Sequence, residues 1–156
     1  MIISKRSAKR LSSKSLILTI SQLNDILWLS NLSYKERVMD TERVLAKLRQ
    51  DYPDANIVPI PPEHPTEIIC ETDPTKGKAI AVIDRSVPHL HRHTKEHYRI
   101  LTGHLRLVGD GEDLALMAEG EEIDILPGQV HHAIGNETWV EVTSTPPWSP
   151  DDHIVL

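Results

Sequence analysis

A series of short apolar segments with a period of two, running from Glu67 almost to the C-terminus, constrains the fold more than any other feature of the chain. Alternation of apolar and polar residues is the pattern of a β-strand that buries one face. Eight such segments are separated by turn residues, and they cover residues 67 to 71, 79 to 84, 97 to 101, 104 to 108, 113 to 118, 121 to 126, 129 to 134 and 138 to 144. Eight short strands with such turns predict an all-β sandwich or barrel.

Glycine-containing turns between the segments indicate how the strands are arranged. Gly103 separates two segments, Asp110-Gly111 has the sequence of a two-residue hairpin turn, and Gly135-Asn136 marks a further hairpin. Because hairpins connect antiparallel strands, the sheet is predicted to be largely antiparallel. An antiparallel jelly roll accommodates eight strands while limiting exposed edges.

The chain before Glu67 has helical periodicity. A short helix is predicted after Ser21, and a second is predicted to end near Asp51. Ser33 and Glu36 have the Ser-x-x-Glu spacing of a capping box for this second helix. Its apolar face is predicted to contain Val38, Val44, Leu45 and Leu48. Five prolines between residues 53 and 66 then predict a rigid, extended connector.

Charge is distributed unevenly along the chain. Residues 1 to 24 contain five basic residues and no acidic residue, whereas the remaining 132 residues carry a net charge of −11. An acidic body argues against nucleic-acid binding. We therefore predict a basic tail over residues 1–20, disordered or exchanged with a neighbouring subunit, a helical extension and linker over 21–60, and a barrel over 61–156.

The cysteine and apolar content of the chain indicates its cellular compartment, and its predicted elements indicate its oligomeric state. The single cysteine, Cys70, has no intramolecular disulfide partner, which gives no sign of an oxidising compartment. No apolar run approaches the ~18 residues needed to span a bilayer. These features predict a cytoplasmic protein without a membrane segment. A homodimer is predicted because barrel edges and an N-terminal arm commonly pair with a second copy.

Histidine placement suggests a metal site in the predicted barrel. His89 and His91 are two residues apart, so in a strand both side chains project to one face, about 6.6 to 6.8 Å apart along the backbone. Glu96 follows a predicted turn, and His131 on a later strand completes a set of three imidazoles and one carboxylate. Such a set suits Fe, Mn, Ni, Cu or Zn and is poor for Ca or Mg.

Two motifs around these histidines resemble those of the cupin superfamily. The first is His89-Leu90-His91, four residues, Glu96, six residues and Gly103. The second is Gly120, five residues, Leu126-Pro127-Gly128, two residues and His131. The resemblance covers roughly residues 67 to 145 and implies a double-stranded β-helix, the cupin jelly-roll barrel, here with an α-helical N-terminal extension. It also implies that the two histidines and the glutamate of the first motif and the histidine of the second bind the metal.

Some positions depart from the motifs, and one further histidine offers a second register. Ile83, which lies ahead of His89, stands where the first motif often has Gly. In the second motif, Leu126 stands where Pro is common and Gly135 where Asn is common. They fall on turn positions rather than on ligands. In the alternative register, His91-Arg92-His93 supplies the histidine pair, and His93 replaces His89.

The cupin resemblance does not select one reaction, because isomerases, dioxygenases, lyases and sugar-binding domains share the fold. The favoured prediction is a divalent transition metal that polarises a carbonyl or hydroxyl of a small oxygenated metabolite, a sugar or a hydroxy or keto acid, for isomerisation or epimerisation. Small cupins of this kind are often similar to mannose-6-phosphate isomerases. An Fe-dependent dioxygenase and a non-catalytic sugar-binding barrel are the alternatives.

A proton-transferring group in addition to the ligands would distinguish an enzyme from a binding module. Tyr98, which shares the strand parity of Glu96, and Glu141 are the predicted catalytic residues, and His93 is a further candidate. A titratable Glu or His in the lumen beyond the ligands would favour an enzyme, whereas an apolar lumen would favour a binding module. Arg99 is predicted to point outward.

Overall fold

The structure, a computed structural model, describes residues 38–156. In these residues the elements are α1 (Thr41–Asp51), β1 (Asn56–Ile60), β2 (Glu67–Asp73), β3 (Lys78–Arg85), β4 (His89–His91), β5 (Lys95–Thr102), β6 (His104–Gly109), β7 (Glu112–Ala118), β8 (Glu122–Ile125), β9 (His132–Thr145) and β10 (His153–Val155). The basic tail, the helix predicted after Ser21 and the capping box of Ser33 and Glu36 lie outside the described residues.

Helix α1 begins at an aspartate cap. The side chain of Asp40 accepts a hydrogen bond of 3.1 Å from the backbone N–H of Arg43, which satisfies one of the free donors at the helix start. The predicted end at Asp51 is confirmed. The prediction that Val38 belongs to the apolar face is wrong, because this residue precedes the cap and is 78% exposed.

The buried side of α1 covers one face of the sheet. Val44 and Leu48 are fully buried, and they belong to a cluster with Ile68, Cys70 and Val82 of β2 and β3. Cys70 therefore has the structural role of a small buried apolar residue. No helix in residues 38–156 is long and apolar enough to cross a membrane.

The strands form an antiparallel barrel, as predicted. Strands β1, β2, β3, β9, β5 and β8 are neighbours in that order, β6 pairs with β7 and β9, and β10 pairs with β4. Because side chains alternate along a strand, Ala81 and Ile83 of β3 face the interior, whereas Ile80 and Val82 face α1. The interior-facing cluster fills part of the lumen and leaves the rest for the site.

A bulge replaces the hairpin predicted at Gly135-Asn136. Strand β9 is continuous from His132 to Thr145, and its register with β3 shifts between the pairs Ile83↔Thr138 and Arg85↔Ile134. The carboxylate of Asp84 holds the extra residues of β9 in place, because it accepts a 2.6 Å hydrogen bond from the backbone N–H of Glu137. A bulge of this kind bends the strand and changes which side chains face inward.

Two other predictions, one for a turn and one for the proline-rich connector, have different outcomes. Asp110 and Gly111 have φ values of 50° and 82°, and they join the paired strands β6 and β7, so this predicted hairpin is confirmed. By contrast, Asn56–Ile60 forms β1 and pairs with β2, although these residues fall within the predicted proline-rich connector. Proline is tolerated there because β1 is the edge strand of the sheet.

Candidate metal centre

The four side chains predicted as ligands converge in the structure. His89 and His91 come from β4, Glu96 from β5, and His131 from the residue before β9. All four are buried, and their ligand atoms lie within 4.8 Å of one another. His93, the histidine of the alternative register, is exposed and is not part of this group.

Backbone pairing brings the two cupin-like motifs together. His89 and His131 are directly opposite each other and exchange two backbone hydrogen bonds of 3.0 and 2.9 Å. Directly opposed residues of an antiparallel pair project to the same face. His91 projects to that face as well because it is two residues from His89. The short β4 strand thus aligns three imidazoles from two distant parts of the chain.

The backbone also sets which ring nitrogens face the centre. Nδ1 of His89 lies 2.8 Å from the carbonyl oxygen of Val87, and Nδ1 of His131 lies 3.0 Å from that of Gln129. A carbonyl only accepts, so each Nδ1 carries the proton and donates. A neutral imidazole has one N–H, so Nε2 of each ring presents a lone pair to the centre.

The close approach of His131 and Glu96 is the arrangement that a cation bound between them would stabilise. Nε2 of His131 lies 3.1 Å from Oε2 of Glu96, which places two acceptors next to each other when the ring is neutral. Nε2 of His91 lies 3.5 Å from Oε1 of the same carboxylate. Neither ring nitrogen of His91 has a hydrogen-bond partner among the described residues, although both are buried. A metal ion bound between these groups would satisfy Nε2 of His91, Nε2 of His131 and the Glu96 carboxylate at once.

Electrostatics favours the protonation states that bind a metal. Burial, and then the neighbouring His131, lower the pKa of His89 to about 4, so its imidazole is neutral. Burial alone would raise the pKa of Glu96, but the hydrogen bond with His131 and the positive charge that the neighbouring histidines carry when protonated outweigh it, and the pKa is lowered. Neutral imidazoles and an ionised carboxylate are the forms that bind transition metals.

The predicted catalytic residues Tyr98 and Glu141 lie on opposite sides of the barrel wall. Tyr98 is buried beside the centre, with its ring centroid 6.4 Å from that of His131, and burial together with the charge of Glu96 raises its pKa well above the usual range. Glu141 faces outward and forms a 3.2 Å ion pair with Arg99. Glu141, predicted as a catalytic residue, therefore lies outside the lumen, while the outward orientation predicted for Arg99 is confirmed.

The position of Glu141 follows from the bulge in β9. Before the bulge, His131 and Ala133 face inward, so the inward positions are odd-numbered. After it, Val140 and Val142 face inward, so the inward positions are even-numbered. Uninterrupted alternation from His131 onward would have placed Glu141 on the face of His131.

Comparison with known proteins supports the fold. No family model matches the chain, and no curated protein matches its sequence. The nucleoside dehydratase Pac13 of Streptomyces is similar in structure, with a TM-score of 0.57, 12% identity, and coverage of 67% of this chain and 87% of that chain. A variant of Pac13 with uridine has a TM-score of 0.58.

Two further known structures are similar to this chain, with lower TM-scores. KdgF from a Halomonas species has a TM-score of 0.50 at 15% identity, and the match covers 62% of this chain and 91% of KdgF. An RmlC-like cupin from Shewanella frigidimarina has a TM-score of 0.50 at 15% identity, with 64% and 89% coverage. This chain has the cupin fold. Identities this low show the fold alone.

A cavity of about 170 Å³ opens from the centre of the cupin barrel. Its lining includes His89, His91, Glu96 and Tyr98. Its apolar lining includes Val58, Ile60, Ile69, Val142 and Trp148. Its other charged side chains are Glu67, Glu71 and Lys78, and no arginine lines it within the described residues. The candidate metal centre is therefore open to a small molecule.

Three residues of the site were missed by the sequence analysis: Glu67, Asp152 and His153. Burial, and then the charge of Glu96, raise the pKa of Glu67 to about 7, partly offset by His131. Asp152 and His153 come from the C-terminal segment, far in sequence from both motifs. The available signal for Glu67 was strand parity, because Glu67, Ile69 and Glu71 share one face of β2.

Proposed function

We propose that this protein is a metal-dependent cupin that acts on a small oxygenated molecule, with isomerase or epimerase chemistry. The observation that carries the proposal is the convergence of His89, His91, Glu96 and His131 beside the cavity, with the buried nitrogens of His91 unpartnered. Three imidazoles and one carboxylate fit Fe, Mn, Ni, Cu or Zn. When bound, such an ion would polarise a carbonyl or hydroxyl oxygen.

The lumen contains a proton-transferring group besides the ligands, which supports an enzyme over a binding module. The carboxyl group of Glu67 lines the cavity, and its pKa of about 7 allows it to hold or release a proton near neutral pH. Tyr98 lies beside Glu96 and keeps its hydroxyl proton, because burial raises its pKa well above the usual range. Glu67 is thus the proposed general base, and Tyr98 the proposed hydrogen-bond donor to substrate.

The cavity favours a neutral sugar over a hydroxy or keto acid. Glu67, Glu71 and Glu96 line it, and Lys78 is the one lysine or arginine among the described residues that does so. Arg99, the arginine nearest in sequence to Glu96, pairs with Glu141 on the outer face. Apolar side chains such as Ile69 and Trp148 can pack on the C–H faces of a sugar ring. Pac13, described as a nucleoside dehydratase and determined as a variant with uridine, shows that a barrel of this fold can hold a sugar-bearing molecule.

Metal content is the first test. Protein purified without affinity metals is analysed by mass spectrometry, and near-stoichiometric transition metal is expected in the wild type and its loss is expected in His91→Ala and His131→Ala. His93→Ala is the matched control, because its side chain is exposed and lies outside the group. Absence of metal from the wild type, even after reconstitution with each candidate ion, would refute the metal site.

Deuterium exchange then tests the reaction class. An isomerase or epimerase removes a proton from the carbon next to a carbonyl, so incubation of aldoses and ketoses in D2O should place deuterium at that carbon, detected by NMR. Glu67→Gln should lose this exchange and retain metal. Sugar binding without exchange in any member of the panel would instead support the non-catalytic binding barrel.

A further inference from the structure

The C-terminal segment forms one wall of the metal centre. Strand β10 pairs with β4, and His153 stands directly opposite His91 in this pairing. Directly opposed residues in an antiparallel pair project to the same face, so the side chain of His153 shares the face of His91. A fourth imidazole therefore reaches the centre from a part of the chain outside both cupin-like motifs.

The ring of His153 is as close to the rings of His89 and His91 as the predicted ligand rings are to one another. Its ring centroid lies 4.4 Å from that of His89 and 5.2 Å from that of His91. The rings of His89, His91 and His131 are separated from one another by 4.2 to 6.1 Å. Nε2 of His153 is buried and has no hydrogen-bond partner within residues 38–156. A buried nitrogen without a partner is costly unless something binds it.

Neighbouring residues anchor this histidine to the ligand loop. The carboxylate of Asp152 accepts hydrogen bonds of 2.9 to 3.3 Å from the backbone N–H groups of Arg92, His93 and Thr94, which lie between His91 and Glu96 in sequence. The ring of Trp148 meets that of His153 edge to face, with centroids 6.0 Å apart. The C-terminal segment is thus attached to the loop that carries two of the ligands.

We propose that His153 is a fifth protein ligand of the metal ion, bound through Nε2, and this inference rests on the proposed metal site. His153 is not one of the four residues whose ligand atoms lie within 4.8 Å of one another, so binding through Nε2 would require its ring to turn toward them. Five protein ligands leave one open position on a six-coordinate ion. That count favours a substrate bound through a single oxygen, and it disfavours a dioxygenase that binds both O2 and substrate on the ion.

Cobalt binding tests the inference without an activity assay. Co²⁺ is titrated into metal-free wild-type protein, His153→Gln, and the control His93→Gln, and affinity is measured by competition with a chelator while the visible absorption is recorded. His153→Gln should bind Co²⁺ at least about 10-fold more weakly, with an altered visible spectrum because one nitrogen ligand is lost. His93→Gln should match the wild type in both measurements.

A measurement on the wild type keeps the inference testable if His153→Gln folds poorly. With ¹⁵N-labelled histidine, the diamagnetic ion Zn²⁺ should strongly shift the signal of one ring nitrogen in each of four imidazoles, those of His89, His91, His131 and His153. Only three shifted imidazoles would contradict a fifth protein ligand and leave the four-residue site intact. Weaker Co²⁺ affinity of His153→Gln with an unchanged visible spectrum would contradict it as well. Failure of the wild type to bind Co²⁺ at all would refute the proposed metal site itself, and with it this inference.

Discussion

The half-buried carboxyl group of Glu67 should make the metal-free protein less stable as pH rises, and Glu67→Gln should remove this dependence. Burial and the charge of Glu96 raise the pKa of Glu67 from 4.5 in the unfolded chain to about 7 in the folded protein. The folded state therefore retains a proton that the unfolded state releases between these two values. A carboxyl with a raised pKa contributes most stability below pH 4.5 and loses it as pH rises to 7.

The size of the effect follows from the shift. One pKa unit corresponds to about 1.4 kcal/mol, so the rise from 4.5 to about 7 corresponds to about 3 kcal/mol. Glutamine has nearly the same shape and does not titrate. Glu67→Gln should thus have a free energy of unfolding close to that of the wild type at pH 4.5 and about 3 kcal/mol higher at pH 8.

Urea denaturation of chelator-treated proteins at several pH values between 4.5 and 8 measures the difference. Glu112→Gln is the control for loss of a carboxylate, because Glu112 is exposed, and it should change stability by less than about 0.5 kcal/mol at every pH. A difference between Glu67→Gln and wild type that does not vary with pH would refute the reasoning. So would a wild type that is the more stable protein at pH 8.

Three further predictions concern residues outside the metal centre that stabilise the fold. Asp152→Asn should lower the free energy of unfolding by about 2 kcal/mol, because an amide cannot accept all the backbone N–H groups that the carboxylate accepts. Leu48→Ala should cost about 2 to 5 kcal/mol, because it opens a cavity between α1 and the sheet. Gly135→Ala should cost about 1 to 3 kcal/mol, because its Cβ would lie 2.6 Å from the carbonyl oxygen of Ile83. Each is measured by urea denaturation.

Matched controls separate these effects from general sensitivity to substitution. Asp151→Asn, Val38→Ala and Asn136→Ala change exposed residues close in sequence to the three sites, and each should alter stability by less than about 0.5 kcal/mol. If Asp152→Asn were no more destabilising than Asp151→Asn, the carboxylate would not hold the ligand loop. A Leu48→Ala protein as stable as Val38→Ala would show that α1 is not packed on the sheet.

The residues that the sequence predicted well are those whose placement depends on local rules. His89 and His91 share a face because alternation has a period of two within one strand. The Asp110-Gly111 hairpin is likewise encoded in two residues that adopt positive φ. The end of α1 at Asp51 lies just before the residues that break the helical pattern.

The residues that were placed wrongly or missed depend on pairings between distant strands. Glu141 was predicted as a catalytic residue, but the bulge in β9 reverses the parity of the residues after it and turns Glu141 outward. That bulge is held by Asp84, more than 50 residues earlier. Glu67 occupies an ordinary alternating position in β2, and only the order of strands in the sheet brings it to the site.

The amino-acid sequence by itself determined the antiparallel β-architecture and the four candidate ligands, because strand periodicity and motif spacing are properties of short segments. Only the tertiary structure decided what surrounds them: the carboxyl group of Glu67, the anchoring carboxylate of Asp152 and the imidazole of His153. These groups come from opposite ends of the barrel sequence. Their meeting depends on long-range strand pairing and on burial, which no short segment encodes.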